Sequence, residues 1–417
     1  MEEKNKKTPG GFWSGVLAGA MAVLLLGACV VGVTSVVSLV HVQVNVSEES
    51  DSIQNVLEDS GSDVLGDNEG AFNQELESKL SEINQIIDST FIFDVDSEEM
   101  MNGALDGYMS GLNDVYSVYY TPEEYADTME DSDGTFVGIG VSVQQATDTM
   151  IITAMTVYSG SPAEEGGMKD GDIITAVDGL DISGEELTDV VNMIRGESGT
   201  QVVVTVYRDG EYLDLTMTRR SIEKETVTYE LMDDKIGYIK LTEFDSVSVD
   251  QMKTAIQDLQ DQGMKSLVLD LRNNPGGLLT SVIHIADQFL PECNIFYYED
   301  KQGQQTRYDS TANQLCTEPM VVLINGNSAS ASEVLAGSLK DQERAQIVGE
   351  QSFGKGIVQS FYELSDGSAI KLTTAHYFTP NGTDIHGVGI EPTISVEDDK
   401  TTEDIDEQLQ AAIDALK

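Results

Sequence analysis

The stretch Met320-Val-Val-Leu-Ile-Asn-Gly-Asn-Ser-Ala-Ser-Ala-Ser-Glu333 runs from five large apolar residues through an Asn-Gly-Asn turn into a serine-rich helix start. Five consecutive apolar residues closed by a turn predict a strand buried on both faces. Upstream, Ser266-Leu-Val-Leu-Asp-Leu271 is a second such run, and Ile236-Gly-Tyr-Ile-Lys-Leu241 is a third strand. Between those two, Met252, Ile256 and Leu259 recur at helical spacing and predict an amphipathic helix over 249–260. A helix over 278–289 follows the second run. Downstream come Ala345-Gln-Ile-Val-Gly349, Gly356-Ile-Val-Gln-Ser-Phe361, a strand over 369–377, the Pro380-Asn-Gly382 turn and an acidic helix over 402–416. Strands alternating with helices argue for an α/β layer built from βα units. The expected fold class is therefore multidomain α/β.

The helix start also carries candidate chemistry. A serine hydroxyl is a weak nucleophile that needs a base. Ser330 opens the helix, where free backbone N–H groups and the positive end of the helix dipole favour a developing oxyanion. The N–H of Ala331 is one candidate donor. Ser330-Ala-Ser-Glu333 equally satisfies the S-x-x-E capping box, and Ser328 and Ser332 stand beside it. Asp270-Leu-Arg-Asn-Asn-Pro-Gly-Gly277 follows a buried strand, and Gly276 and Gly277 admit close approach of backbone to a ligand. An ordinary turn with an Asp270–Arg272 pair fits that stretch as well. Lys355 lies twenty-five residues after Ser330, between two glycines in Ser352-Phe-Gly-Lys-Gly-Ile-Val-Gln359. To serve as a base near neutral pH, its pKa must fall from about 10.4 by about 2–3 pH units. On a strand through Ile357 and Val358, Gln359 shares the lysine's face and could hold its amine. His284, His376 and His386 offer a histidine base instead, each without a distinctive acid partner.

Composition narrows the partners. With 23 Lys and Arg against 73 Asp and Glu, the net charge is −50. This argues against nucleic acid, because phosphate binding needs clustered basic residues. Three cysteines and four histidines supply neither a CxxC pair nor an HExxH motif, so no metal and no cofactor is expected. Cys293 and Cys316 are close enough in sequence for a disulfide, or stand as two free buried thiols. Lys4, Lys6 and Lys7 precede Thr8–Val40, a run without a charged residue. A spanning helix needs about 20 apolar residues and a cleaved signal about 7–15, so the run predicts an uncleaved anchor. Basic residues before it and Glu48, Glu49 and Asp51 after it place the N-terminus in the cytoplasm. The expectation is a cytoplasmic segment over 1–10, a single transmembrane helix over 11–40 in the cell membrane, and extracytoplasmic domains beyond. Leu26-Gly-Ala-Cys29 also looks like a lipoprotein cleavage box, although the residues after Cys29 stay apolar. Residues 41–70 have the acidic, Ser/Gly-rich composition of a flexible stalk. In 71–130, Phe72, Leu76, Leu80 and Ile83 are spaced by three and four, as in a helix.

From 134 to 220 the texture changes to short strands and a late helix over 187–194, with a hairpin about Asp209-Gly210. The order resembles a PDZ domain, expected over 131–221. Phe136-Val-Gly-Ile-Gly-Val141 stands where PDZ domains hold a terminal carboxylate, so Phe136, Val137, Gly138, Ile139 and Gly140 are its candidate peptide-binding residues. That resemblance implies capture of an extended peptide as an added strand, with an apolar C-terminal residue.

Residues 103–416 as a whole resemble the carboxy-terminal processing proteases of peptidase family S41. The resemblance rests on Gly111-Leu-Asn-Asp-Val-Tyr-Ser117, the PDZ stretch, the 270–277 and 327–333 motifs, Gly349-Glu-Gln-Ser-Phe-Gly-Lys-Gly356, Tyr377-Phe-Thr-Pro-Asn-Gly382 and Gly389-Ile-Glu-Pro392. It implies a ClpP/crotonase-like peptidase core over 222–417 with an inserted PDZ β-sandwich-like domain. It also implies Ser330 as nucleophile, Lys355 as base, Gln359 as its positioning residue, and backbone donors at Ala331, Gly276 and Gly277. Some members use an aspartate eleven residues after the serine, here Asp341, ranked as auxiliary because Gln359 is also present. Val115 departs from the family, which usually has proline there. The function implied is a membrane-anchored serine endopeptidase acting on proteins with apolar C-termini, with a homodimer through 71–130 as in some relatives. A peptide-binding scaffold or a crotonase-like acyl transferase would keep the fold. Intact Ser330, Lys355 and Gln359 argue against the first, and the lack of a coenzyme-binding feature argues against the second.

Overall fold

The computed structural model describes residues 69–147, 149–398 and 406–417. Met320–Ile324 forms a strand inside a six-stranded sheet ordered Val227–Leu231, Ile236–Leu241, Ser266–Asp270, Met320–Ile324, Ala345–Gly349, Ile394–Ser395. The first pair is antiparallel and the remaining pairs are parallel. Successive side chains of a strand point to opposite faces, and both faces of this sheet are covered. Leu267, Leu269, Val322 and Ile324 join a core with Met252 and Ile256, Val282 and Ile285, and Val334 and Leu335. Those pairs come from the helices Ser248–Asp261, Leu279–Phe289 and Ala331–Asp341. Val268, Val321 and Leu323 face the other way, against Leu409 and Ala412 of the helix Glu407–Ala415. Burial on both sides is why these strands read as continuous apolar runs.

The PDZ-like body has its own core, including Ile139, Ile152, Val190, Val204 and Met217. Its sheet runs Val141–Gln145, Ile152–Val157, Ile173–Val177, Gln201–Arg208, Glu211–Thr218. Val141–Gln145 is therefore an edge strand. Between the strands Thr135–Gly138 and Val141–Gln145 the chain breaks at Ile139-Gly140. Gly140 has φ +78°, and a Cβ there would come within 2.4 Å of the Ser161 Cβ. A two-stranded ribbon, Thr135–Gly138 against Arg220–Glu223, carries this body. At its root the Lys224 N–H donates to the Gly134 carbonyl at 2.8 Å, and the Ser246 N–H donates to the Ser132 carbonyl at 3.1 Å. Lys224 Nζ lies 3.3 Å from Asp245 Oδ2 and also pairs with Glu243. Burial pushes the Asp245 carboxyl up to about 6, with Lys224 opposing the rise and Glu243 and Asp131 adding to it.

A second unit contains the helices Glu69–Thr90 and Ser97–Ser110 and the strand Val118–Tyr120, which pairs with residues 369–371. The Thr373 and Ser117 hydroxyls both donate to Asp114 Oδ2 at 2.6 Å, which fixes the turn after the second helix. Phe72, Leu76, Leu80, Ile83 and Ile86 are exposed along the first helix. Val115 is exposed as well.

The expected transmembrane helix and single-pass membrane placement are corrected here. No helix among the described residues is long and apolar enough to cross a membrane. The longest, Glu69–Thr90, carries Glu75, Glu77, Lys79, Glu82 and Asp88, and charge at such density is incompatible with hydrocarbon. The fold is a mixed α/β structure with a separate PDZ-like body and N-terminal helices. The segments 1–10, 11–40 and 41–68, with Cys29, lie outside the described residues.

Burial of Asp245 has a measurable consequence. Between about pH 4, where a carboxyl titrates in the unfolded chain, and about 6, the folded chain holds a proton that the unfolded chain has released. Stability therefore falls as pH rises through that window. Asp245→Asn removes the titration, so the variant should gain about 1–3 kcal/mol on wild type between pH 4 and pH 7. Calorimetric unfolding across that range checks it, and parallel pH profiles would contradict it.

Candidate active site

Three serines lie along the passage from the Met320–Ile324 strand into the helix Ala331–Asp341, Ser328 in the turn, Ser330 at the cap and Ser332 inside the helix, and their surroundings differ. Ser328 is buried, and its hydroxyl donates to the Leu271 carbonyl at 2.8 Å. Ser332 is buried, and its hydroxyl donates to the Asn274 carbonyl at 3.0 Å. Ser330 is half-buried and occupies the N-cap position with φ 54° and ψ −115°. An ordinary N-cap residue is extended. A serine at positive φ costs about 1–3 kcal/mol, the kind of local strain found at functional sites. The capping box with Glu333 is present, so the cap and the strained serine coexist.

The turn after the Ser266–Asp270 strand presses against this serine. A Cβ on Gly276, whose φ is +111°, would lie 2.8 Å from the Ser330 Cβ and 3.0 Å from the Ala331 nitrogen. A Cβ on Gly277 would lie 2.5 Å from the Phe244 carbonyl oxygen. Only glycine fits either position. Buried Asn274 organises the turn: its Nδ2 donates to the Leu241 carbonyl at 2.9 Å, and its Oδ1 accepts the Gly276 N–H at 2.8 Å. The Gly276 N–H is thus already engaged. Among the described residues, the N–H groups of Gly277 and Ala331 have no backbone acceptor. Arg272 and Asp270 form the structural pair that the local sequence allowed. Arg272 also binds Asp406 at 2.8 Å, tying the last helix to the sheet.

Lys355 is half-buried in an irregular segment whose glycines close on the 385–389 loop. A Cβ on Gly356 would come within 2.2 Å of the His386 nitrogen, and the Gly354 carbonyl accepts the Gly387 N–H at 2.9 Å. The segment meets the serine helix at Glu333, which is fully buried. Glu333 Oε2 accepts the N–H of Ser330 and the N–H of Lys355, each at 2.8 Å. The two amides are therefore no further apart than those two bonds end to end. Sequence reasoning noted Glu333 only as a capping residue; it is the one charged side chain in Ala331–Leu339, and that was the available signal.

The other candidate residues are placed as follows. Gln359 is half-buried in the strand Ile357–Glu363. Asp341 ends the helix that Ser330 begins, about 16 Å away at the helical rise of 1.5 Å per residue. There it accepts the Asn381 N–H at 2.9 Å. His284, His376 and His386 are exposed; His376 lies 4.0 Å from Asp384, also exposed. Cys293 and Cys316 are free, and burial pushes the Cys316 thiol up to about 12. In the PDZ body, Phe136 packs edge-on against Tyr158, and Val137 sits on the ribbon with it. Gly138 and Gly140 are buried. Ile139 is buried in the domain core, and its carbonyl accepts the Ala163 N–H at 2.7 Å.

Comparison with known proteins gives this arrangement a class. Residues 235–396 match the model of peptidase family S41, residues 153–208 that of the PDZ domain, and residues 30–124 that of the activating protease CtpB N-terminal domain. The chain is 37% identical over 324 residues to a carboxyl-terminal-processing protease of Synechocystis sp., covering 75% of this chain and 76% of that one. It is 36% identical over 327 residues to the "Probable CtpA-like serine protease" of Staphylococcus aureus, covering 78% of this chain and 65% of that one. The chain thus spans a little under two thirds of the latter's length. Among solved structures, it is 31% identical to a photosystem II D1 C-terminal processing protease, covering 78% of this chain and 87% of that one, with a TM-score of 0.47. The chain belongs to peptidase family S41 and carries a PDZ domain.

The strain at Ser330 is testable by itself. Ser330→Gly releases the positive-φ penalty and Ser330→Ala retains it, so the glycine variant should be the more stable by about 1–2 kcal/mol in urea. Equal midpoints would contradict a strained serine.

Proposed function

We propose that this chain is a serine endopeptidase in which Ser330 is the nucleophile, Lys355 the general base and Gln359 the residue that orients the lysine amine. The observation that carries the reading is the shared seat of Ser330 and Lys355 on Glu333 Oε2. Neutral Lys355 Nζ takes the hydroxyl proton as Ser330 Oγ attacks the scissile carbonyl. The oxyanion forms toward the N–H groups of Ala331 and Gly277, with Gly276 letting the turn close against the serine. The lysine ammonium then protonates the departing amine, and water releases the acyl group by the reverse proton path. Residues 222–417 act as the peptidase core, and 131–221 as the PDZ domain that delivers substrate.

The unpaired outer edge of Val141–Gln145 supports strand addition of a protein C-terminus beside the helix Leu187–Ile194. Val141, Val143, Leu187 and Met193 are only partly buried against the domain core, which favours an apolar terminal residue. Backbone around Phe136, Val137, Gly138, Ile139 and Gly140 receives the terminal carboxylate. The exposed apolar stripe from Phe72 to Ile86 fits a second copy of the chain. Leu80→Glu with Ile83→Glu should then yield monomers in sedimentation equilibrium; monomeric wild type would exclude the dimer.

Ser330→Ala and Lys355→Ala should each lower kcat/KM on an apolar-tailed protein by about 10³-fold or more while leaving tail binding intact. Wild-type activity should rise with pH, because the base must lose its proton. Full cleavage by either folded variant would remove the dyad.

A further inference from the structure

The Glu333 carboxylate receives four hydrogen bonds while wholly buried. Oε1 accepts the Ser352 hydroxyl at 2.5 Å and the Gly354 N–H at 2.7 Å. Oε2 accepts the N–H groups of Ser330 and Lys355 at 2.8 Å each. A carboxylate has about four acceptor positions, so these four donors saturate the site. One ordinary capping bond would leave the rest of that buried group without donors. The three further donors come from the segment that carries Lys355. Residues 351–356 lie in no strand or helix; single backbone bonds hold them, among them the Phe353 N–H to the Ser328 carbonyl at 3.0 Å and the Ser352 N–H to the Ile390 carbonyl at 3.2 Å. The consecutive N–H groups of Gly354 and Lys355 both end on this side chain.

We infer that Glu333 is a positioning residue for the reaction. Its carboxylate fixes the Lys355 backbone against the Ser330 backbone, and so sets the reach of the base to the nucleophile. Ser352 extends the anchor, since its Oγ also accepts the Ile390 N–H at 2.6 Å. Glutamine cannot replace this group. Its oxygen accepts one pair of donors, and its NH2 turns hydrogens toward the other pair. Aspartate keeps the charge but falls one methylene short, so it cannot serve the serine and the lysine segment at full length together.

The inference rests on the Ser330–Lys355 reading, and the experiment separates the two. Glu333→Gln, Glu333→Asp and Ser330→Ala are compared with wild type on an apolar-tailed protein substrate. Active serines are counted by titration with a fluorophosphonate, and tail binding and thermal unfolding are recorded. Displacement of a catalytic group by about 1 Å costs about 10²-fold. Turnover per titrated serine should therefore fall about 10²-fold in Glu333→Gln, with KM and tail affinity within about threefold of wild type. Glu333→Asp should fall in between. A merely structural glutamate would reduce the number of titratable serines and leave turnover per serine at the wild-type value; that result overturns the inference. If Glu333→Gln does not fold, Glu333→Asp decides by the same criterion. An active Ser330→Ala removes the underlying reading. A dead Ser330→Ala with wild-type turnover in the glutamate variants removes only the role of Glu333.

Discussion

A buried carboxylate cannot be left without donors, and the centre of this molecule is arranged around that constraint. Glu333 stands one turn into a helix packed on the parallel sheet, where a lone charge would be strongly destabilising. The four donors that satisfy it come from the head of its own helix and from an irregular segment some twenty residues later. Satisfying the charge therefore brings two stretches of chain together whatever else they do. The segment is held on its far side by the 385–390 loop, whose approach explains the glycines on either side of Lys355.

The glycine turn at 276–277 is the other wall of the site, and it shares a support with the PDZ body. The Phe244 N–H donates to the Gly276 carbonyl at 2.9 Å, and the Leu278 N–H returns to the Phe244 carbonyl at 2.7 Å. The next residue, Asp245, lies under the ribbon root at Gly134 and faces Lys224. One short piece of backbone thus abuts both the turn beside the serine and the stem of the PDZ domain.

Much of this was legible in the sequence, and the exceptions have physical causes. Apolar runs in 266–271 and 320–324 announced doubly covered parallel strands, because both faces are buried. Local chemistry left Ser328, Ser330 and Ser332 open, and the family resemblance alone pointed to Ser330; the hydroxyls of its two neighbours donate to carbonyls of the 270–277 loop, far away in sequence and so hidden from local reading. Glu333 was hidden by degeneracy: S-x-x-E describes a surface cap as well as a buried hub. The N–H of Gly276 looked available until the side chain of Asn274 was seen to occupy it. Ile139 looked like groove lining, yet an isoleucine beside two glycines was drawn into the domain core. Asp341 sits a full helix length from Ser330, a separation that a count of eleven residues conceals unless they are known to be helical. The membrane helix was inferred from hydropathy at 11–40, whereas the longest described helix is charged along its length.

The central claim is that one serine of three is a nucleophile activated by its setting. Mass spectrometry of the chain after reaction with a fluorophosphonate tests it most directly. The adduct should map to Ser330 alone, and Lys355→Ala should abolish it in folded protein. An adduct on Ser328 or Ser332, or undiminished labelling of Ser330 without the lysine, would contradict the account.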